Sequence, residues 1–319
     1  MKNFLRDDDL TAPQQQMLLD FAEQLRNAPA APMLVKAETA PASVALIFEK
    51  ESTRSRVSFH VAITDLGGSP VVLDAQGSQL ARGESIQDTA RVLSRYVDAI
   101  VFRTHAHDRA HALAQASQVP VINALTDTFH PCQALADINT IASNFGSAAG
   151  RTITFVGDAG NNMAHSYLLA GALAGAHVRL AGPAQHQPNP EIMARAAPIA
   201  QANGGSVSAT TDRHAAVDGA DVVATDTWVS MGQQDAKSRV RALQEYQLNA
   251  ELLKLAAREA IVLHCLPAHR GEEITDEVAD GPQSRIFDQA ENRLHTQKAL
   301  LAWLVAGHQG LSAKENLPK

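Results

Sequence analysis

The segment Glu49-Lys50-Glu51-Ser52-Thr53-Arg54-Ser55-Arg56 sets hydroxyls beside guanidinium groups directly after the apolar run Val44 to Phe48. Val57, Val61 and Leu66 follow at helical spacing, so Ser52 reads as an N-cap. A helix start offers free backbone N–H groups and the positive end of the dipole, and added hydroxyls and a guanidinium suit that end to a phosphate. A capped amphipathic helix with solvated arginines is also compatible with the segment. Arg103 follows the run Ala99 to Phe102, and His130-Pro131-Cys132-Gln133 follows Val119 to Ile122. A lone arginine after a strand is usually solvated and a lone histidine is usually structural. Their shared position at the ends of apolar runs is what points to one anion site.

A second group lies further along the chain. Ile153 to Val156 leads into Gly157-Asp158-Ala159-Gly160-Asn161-Asn162-Met163, which lacks G-x-G-x-x-G and so gives little support to a dinucleotide dehydrogenase. Val222 to Thr225 leads into Asp226-Thr227-Trp228-Val229-Ser230-Met231-Gly232, which by itself is a turn with Met231 filling core. Ile261 to His264 leads into Cys265-Leu266-Pro267, and a free cysteine is usually a small buried apolar residue.

The elements that must position these residues follow from the alternation of apolar runs with helical stretches. Val44 to Phe48, Val71 to Leu73, Ala99 to Phe102 and Val119 to Ile122 form one βαβ series; Ile153 to Val156, Val178 to Ala181, Val222 to Thr225 and Ile261 to His264 form another. Pro190 to Asn203 reads as one of the intervening helices. Between the series, Gly146-Ser147-Ala148-Ala149-Gly150 breaks a helix patterned by Leu135, Ile138, Ile141, Ala142 and Phe145. The expected fold class is α/β, with two doubly wound parallel-sheet domains and the active site in the cleft between them. Ligands gather at the carboxyl ends of such strands, where the chemistry-bearing residues fall.

Composition narrows the function classes. At 319 residues and 45% hydrophobic content the chain exceeds one small core. A formal charge of -7 argues against nucleic acid as the main partner. The N-terminal stretch from Met1 lacks an apolar leader core, and the run around Tyr167 to Ala176 is too short to span a membrane. Cys132 and Cys265 lack a disulfide-like pattern, so the expected location is the cytoplasm.

Ser52-Thr53-Arg54-Ser55-Arg56 with His130-Pro131-Cys132-Gln133 resembles the S-T-R-T-R and H-P-x-Q pair of the aspartate/ornithine carbamoyltransferase family. The resemblance implies that Ser52, Thr53, Arg54 and Ser55 bind the phosphate of carbamoyl phosphate. It implies that Arg103 and His130 hold the carbonyl oxygen and Gln133 the amide, with Gln79 reaching into a neighbouring subunit's site. Asp226, Ser230, Met231 and Gly232 match the D-x-x-x-S-M-G signature of the ornithine branch, and His264-Cys265-Leu266-Pro267 its H-C-L-P motif. By that resemblance Asp226 and Ser230 take the α-ammonium of L-ornithine, and Met231 and Asn162 its α-carboxylate. Cys265 sits beside the reacting amine and, with the Leu266 carbonyl, also counts among the carbamoyl phosphate-binding residues, and Arg293 completes that site. Arg103, His130 and Cys265 are the expected catalytic residues, without metal or organic cofactor.

The resemblance runs from residue 52 to residue 293 and implies domains at 1-147 for carbamoyl phosphate and 148-287 for ornithine, with a C-terminal helix at 288-319 packing back on the first. A homotrimer or a multiple of trimers with shared sites is implied. The chain departs from the common pattern at Ser55, where threonine is usual, and at His60, where glutamate is usual. Other amine acceptors, and a silent ligand-sensing paralogue, are the rival readings; the acceptor motifs and the complete site disfavour them. The direction of flux, toward arginine biosynthesis or the reverse, is left open.

Overall fold

A computed structural model describes residues 3–27, 33–36, 40–74, 77, 79–229 and 236–306. Two compact units divide the chain: Met1–Leu135 with Arg293–Lys319, and Ala136–Asn292. Each division falls inside a helix.

In the first unit a short antiparallel ribbon, β1 (Val35–Lys36) and β2 (Ala40–Pro41), precedes a parallel sheet. Its strands are β3 (Ser43–Phe48), β4 (Ser69–Asp74), β5 (Ala99–Arg103) and β6 (Val121–Leu125), in the order β4-β3-β5-β6. The apolar run of β3 is buried on both faces, as expected for a parallel strand covered by helices. The helices are α1 (Ala12–Asn27), α2 (Thr53–Asp65), α3 (Ile86–Leu93), α4 (His107–Ala116) and the start of α5 (Pro131–Phe145). One core cluster joins Ala45, Ile47, Ile100 and Phe102 of the sheet to Ala90 and Leu113 of α3 and α4. After β3 the chain moves to β4 on one side and then to β5 on the other, which makes the carboxyl ends of β3 and β5 the switch point.

Two local readings change. The sequence spacing puts Val57 and Val61 on the helix face with Leu66, but both are exposed; α2 buries Phe59, Ala62, Ile63 and Leu66. The period is right and the face is rotated, because two overlapping helical stripes are apolar here. The run Val119 to Ile122 also slides: Pro120 has no N–H to give a ladder, and β6 begins at Val121.

The outer edge of β6 is covered by residues 3–5. Phe4 N–H donates to Val121 O at 2.8 Å, Asn123 N–H to Phe4 O at 2.8 Å, and Asn123 Nδ2 to Leu5 O at 2.9 Å. Phe4 is buried, so Phe4→Ala should destabilise the fold by about 3 to 5 kcal/mol. Urea unfolding measures this; a loss below about 1 kcal/mol would show the segment to be ornamental.

The second unit holds β7 (Thr152–Val156), β8 (His177–Ala181), β9 (Ser206–Thr210), β10 (Val222–Thr225) and β11 (Ile261–His264), parallel and in the order β11-β10-β7-β8-β9. β9 is not marked by an apolar run, because Ser206-Val207-Ser208-Ala209-Thr210 is a largely exposed edge strand. Helices α6 (Asn162–Leu173), α7 (Pro190–Ala202), α8 (Arg213–Val217), α9 (Ala236–Leu243), α10 (Ala250–Leu253), α11 (Asp276–Ala279) and α12 (Ile286–Ala306) complete the described chain. Gly146, at φ 79°, takes the left-handed position that ends α5. Here the switch point lies between the carboxyl ends of β7 and β10. No helix among the described residues is long and apolar enough to cross a membrane.

Candidate active site

At the first switch point Ser52 is extended and its hydroxyl accepts from Ser55 N–H at 3.2 Å, so it caps α2 as its sequence position predicts. Ser55 is buried and accepts a hydrogen bond from Arg293 Nη2 through its hydroxyl. Arg54 follows the cap, with Nε buried and lacking a hydrogen-bond partner among the described residues. The β5 ladder carries a register shift between Phe102 and Arg103, which pair with Asn123 and Leu125. Ala124 is the extra residue, and such irregularities re-aim a side chain at a strand end. Glu49 N–H donates to Arg103 O at 2.9 Å, joining the ends of β3 and β5. The Glu49 carboxylate is taken by Arg109, whose Nε donates at 3.1 Å, so this acid does not neutralise the anion site.

His130 precedes Pro131, the first residue of α5, and is buried. Its pKa is held well below the ordinary value, first by burial and then by the charges of Arg293, Arg103 and Arg54. The imidazole is therefore neutral near pH 7, with one donor and one acceptor nitrogen. Lys50 is likewise pushed down, by burial and then by Arg103. Cations are thus concentrated where β3 and β5 end, a field that suits a phosphate. Gln133 is fully buried in the first turn of α5, its N–H donating to His130 O at 3.0 Å. Cys132 donates to Asn123 O at 3.3 Å and burial pushes its thiol up, so it is inert core. Gln79 opens an exposed 3₁₀ turn, Gln79–Arg82, and no described hydrogen bond joins it to this group.

At the second switch point Asp226 is buried just beyond β10. Its Oδ1 accepts from Thr227 N–H at 2.7 Å and from the Cys265 thiol at 3.1 Å, and its Oδ2 from Asn161 Nδ2 at 3.3 Å. Burial raises the Asp226 pKa, opposed by His264, the Cys265 hydrogen bond and the Thr227 N–H. Asn161, which the sequence reading passed over for Asn162, is the N-cap of α6, accepting from Ala164 N–H at 2.8 Å. Asn162 is the first residue of that helix. A doubled Asn after a strand was the available signal: the first caps the helix and the second opens it. Ser230 and Met231 lie outside the described residues.

The turn after β11 is fixed from behind. His264 Nδ1 accepts from Leu266 N–H at 2.9 Å, while Nε2 lies 3.0 Å from Glu273 Oε1, and both side chains are fully buried. This assigns the proton to Nε2. Leu266 adopts φ 58°, rare for a residue with a branched side chain, and precedes a cis bond to Pro267. Asp226, His264 and Cys265 offer donor atoms within 4.8 Å of one another, as do His269, Glu272 and Glu273. In the first set both imidazole nitrogens and the thiol are already engaged in hydrogen bonds, so that set is satisfied without an ion.

With this geometry established, comparison with known proteins is specific. Residues 2–143 match the domain described as aspartate/ornithine carbamoyltransferase, carbamoyl-P binding domain, and residues 149–304 match its Asp/Orn binding domain. An ornithine carbamoyltransferase of Acidothermus cellulolyticus is 57% identical over 314 residues, covering 98% of this chain and 99% of that protein. One from Mycolicibacterium paratuberculosis is 54% identical, covering 95% and 98%. The solved structure of the Pyrococcus furiosus ornithine carbamoyltransferase superposes with a TM-score of 0.90 at 45% identity, covering 96% of this chain and 97% of that one.

Proposed function

The chain belongs to the aspartate/ornithine carbamoyltransferase family, and on that premise we propose that it transfers the carbamoyl group of carbamoyl phosphate to the side-chain amine of L-ornithine, giving L-citrulline and phosphate. The observation that carries this reading is the gathering of Arg54, Arg103 and Arg293 around a neutral, buried His130 at the β3/β5 switch point. In the proposal Ser52, Thr53, Arg54, Ser55 and Arg293 bind the phosphate, Arg103 and His130 the carbonyl oxygen, and Gln133 the carbamoyl amide. Gln79 serves a neighbouring subunit, and the Leu266 carbonyl accepts from the carbamoyl group. Asp226, Ser230, Met231 and Asn162 recognise the acceptor's α-amino and α-carboxyl groups. Cys265 faces the reacting amine.

The nucleophile must be uncharged. A lysine-like amine with pKa about 10.4 costs roughly 4 to 5 kcal/mol to deprotonate at pH 7, so the surroundings of Cys265 must lower that pKa by excluding water. The nitrogen lone pair then attacks the carbonyl carbon. Negative charge gathers on the carbonyl oxygen opposite Arg103 and His130, the carbon–oxygen bond to phosphate breaks, and the nitrogen passes its extra proton to the departing phosphate, which leaves as hydrogen phosphate. Contacts to the departing phosphate from guanidiniums stabilise the leaving group.

We assign residues 1-147 to carbamoyl phosphate, 148-287 to ornithine and 288-319 to the returning helix. A homotrimer is part of the proposal: Val57 and Val61 on α2 and Val71 on the edge strand β4 are exposed apolar residues that a second copy can cover. A cytoplasmic place in arginine biosynthesis fits a citrulline-forming enzyme. The test is citrulline formation with ornithine against putrescine, acetylornithine and aspartate; preference for any of the latter three rejects the acceptor assignment.

Arg54→Lys is expected to weaken carbamoyl phosphate far more than ornithine, because a point ammonium cannot supply two parallel N–H bonds to one phosphate. Losing one charge-assisted bond corresponds to roughly 10- to 100-fold in KM for carbamoyl phosphate. An unchanged KM would remove Arg54 from the anion site.

A further inference from the structure

Arg239, on α9, ties together two loops to which it does not belong. Its Nε donates to Trp228 O at 3.1 Å, and its Nη2 is paired with Asp158. Trp228 lies two residues after Asp226 in the loop that follows β10. Asp158 lies in the loop that follows β7 and continues into Asn161 and Asn162; its Oδ1 accepts from Gly160 N–H at 3.1 Å and sits 3.5 Å from His186 Nδ1. The pair is largely withdrawn from solvent, with side-chain exposures of 19% for Arg239 and 8% for Asp158. These are the two loops flanking the switch point of the second sheet.

The indole of Trp228 completes the joint. It is buried, and a Cβ added at Gly157 would lie 3.3 Å from Trp228 Nε1. Gly157 itself has φ 131°, so glycine lets both the turn after β7 and the indole occupy this place. Thr225 Oγ1 donates to Val156 O at 2.7 Å directly beneath. Strand ends, indole and guanidinium thus fix the separation between Asn161–Asn162 and Asp226, whose own link is the 3.3 Å Asn161 to Asp226 hydrogen bond.

We propose that Arg239, held by Asp158, is a positioning residue for acceptor recognition: it sets the spacing of the Asn162 and Asp226 loops without itself binding substrate. The proposal rests on the reading that these two loops hold ornithine. A misplacement of about 1 Å in a supporting residue can cost about 100-fold in efficiency, so Arg239→Met is expected to lower kcat/KM for ornithine roughly 10- to 100-fold. The loss is carried by KM for ornithine, with KM for carbamoyl phosphate within about twofold of the parent, since that site stands on the other sheet.

Steady-state kinetics of the full-length protein with each substrate varied decides this, using Arg239→Met, Arg239→Lys and the double variant Arg239→Met with Asp158→Leu. Lysine keeps the charge but cannot span Trp228 O and Asp158 with one planar group, so it should raise KM for ornithine by about fivefold. The double variant removes the stranded carboxylate, and because the tether is still missing, its KM for ornithine should stay high. A wild-type ornithine KM in Arg239→Lys, or its recovery in the double variant, overturns the positioning role; the second result would trace the defect to an unpaired charge. Should Arg239→Met not fold, the lysine and double variants decide. A parent protein that makes no citrulline sinks the functional reading instead, which keeps the two failures apart.

Discussion

Arg103→Met is expected to lower kcat for citrulline formation by about 100- to 1,000-fold, the usual loss when one preorganised group facing a developing oxyanion is removed. The expectation rests on place as well as charge. Arg103 ends β5 at the register shift against β6, and its backbone is fastened to Glu49 across the switch point. Its charge also helps hold His130 neutral, after burial and Arg293. Removing it should let the His130 pKa rise while burial keeps it depressed, which imidazole NMR during a pH titration would follow. An unfolded imidazole takes up a proton near its ordinary value of about 6.5, whereas the folded one does not. His130's contribution is therefore intact above that value and lost as pH falls below it, over a narrower window in the variant. A kcat within about tenfold of the parent would take Arg103 out of the transition state.

Asp226→Asn is the second large effect, expected to reduce kcat/KM for ornithine by about 100- to 1,000-fold, since truncating a buried charged partner of a cation costs about 2 to 5 kcal/mol. The fold should tolerate it. Asparagine keeps an acceptor for Thr227 N–H, and burial already opposes the charge of Asp226. That raised pKa carries a further signature. As pH falls through it the carboxylate is protonated, so the acid limb of kcat/KM for ornithine should lie above the ordinary carboxylate range. In Asp226→Asn that limb should vanish. A variant that keeps both the parent's limb and its ornithine efficiency would show that the acceptor's cation is held elsewhere.

How far the sequence reached depends on which interactions are local. Ser52 as a cap is a short-range fact, three residues from the N–H it receives, and it was legible. The apolar runs revealed β3, β5, β7, β10 and β11 because strands covered on both faces must be apolar throughout. β9 was not legible, since an exposed edge has no such demand. Arg54, Arg103 and His130 could be grouped from their common place at the ends of apolar runs, but Arg293 joined them only through the family resemblance, for nothing in chain spacing brings residue 293 to residue 55. The long-range contacts of Asn161 and Arg239 escaped for the same reason as that of Arg293. The Asp226 contact of Asn161 spans 65 positions and the Asp158 contact of Arg239 spans 81. One further contact was not foreseen: Asp226 and Cys265, given to opposite ends of the acceptor by resemblance, touch each other directly.

The left-handed backbone at Leu266 bears on how this chain can be engineered. A leucine held at φ 58° sacrifices about 1 to 3 kcal/mol that glycine or asparagine would not. A library at position 266 selected only for heat survival should therefore drift toward those two residues. They would keep the carbonyl but loosen the turn that His264 and Glu273 brace, and a selection for citrulline should discard them. The distance between the two selected populations measures how much robustness this enzyme has traded for the role proposed for the Leu266 carbonyl.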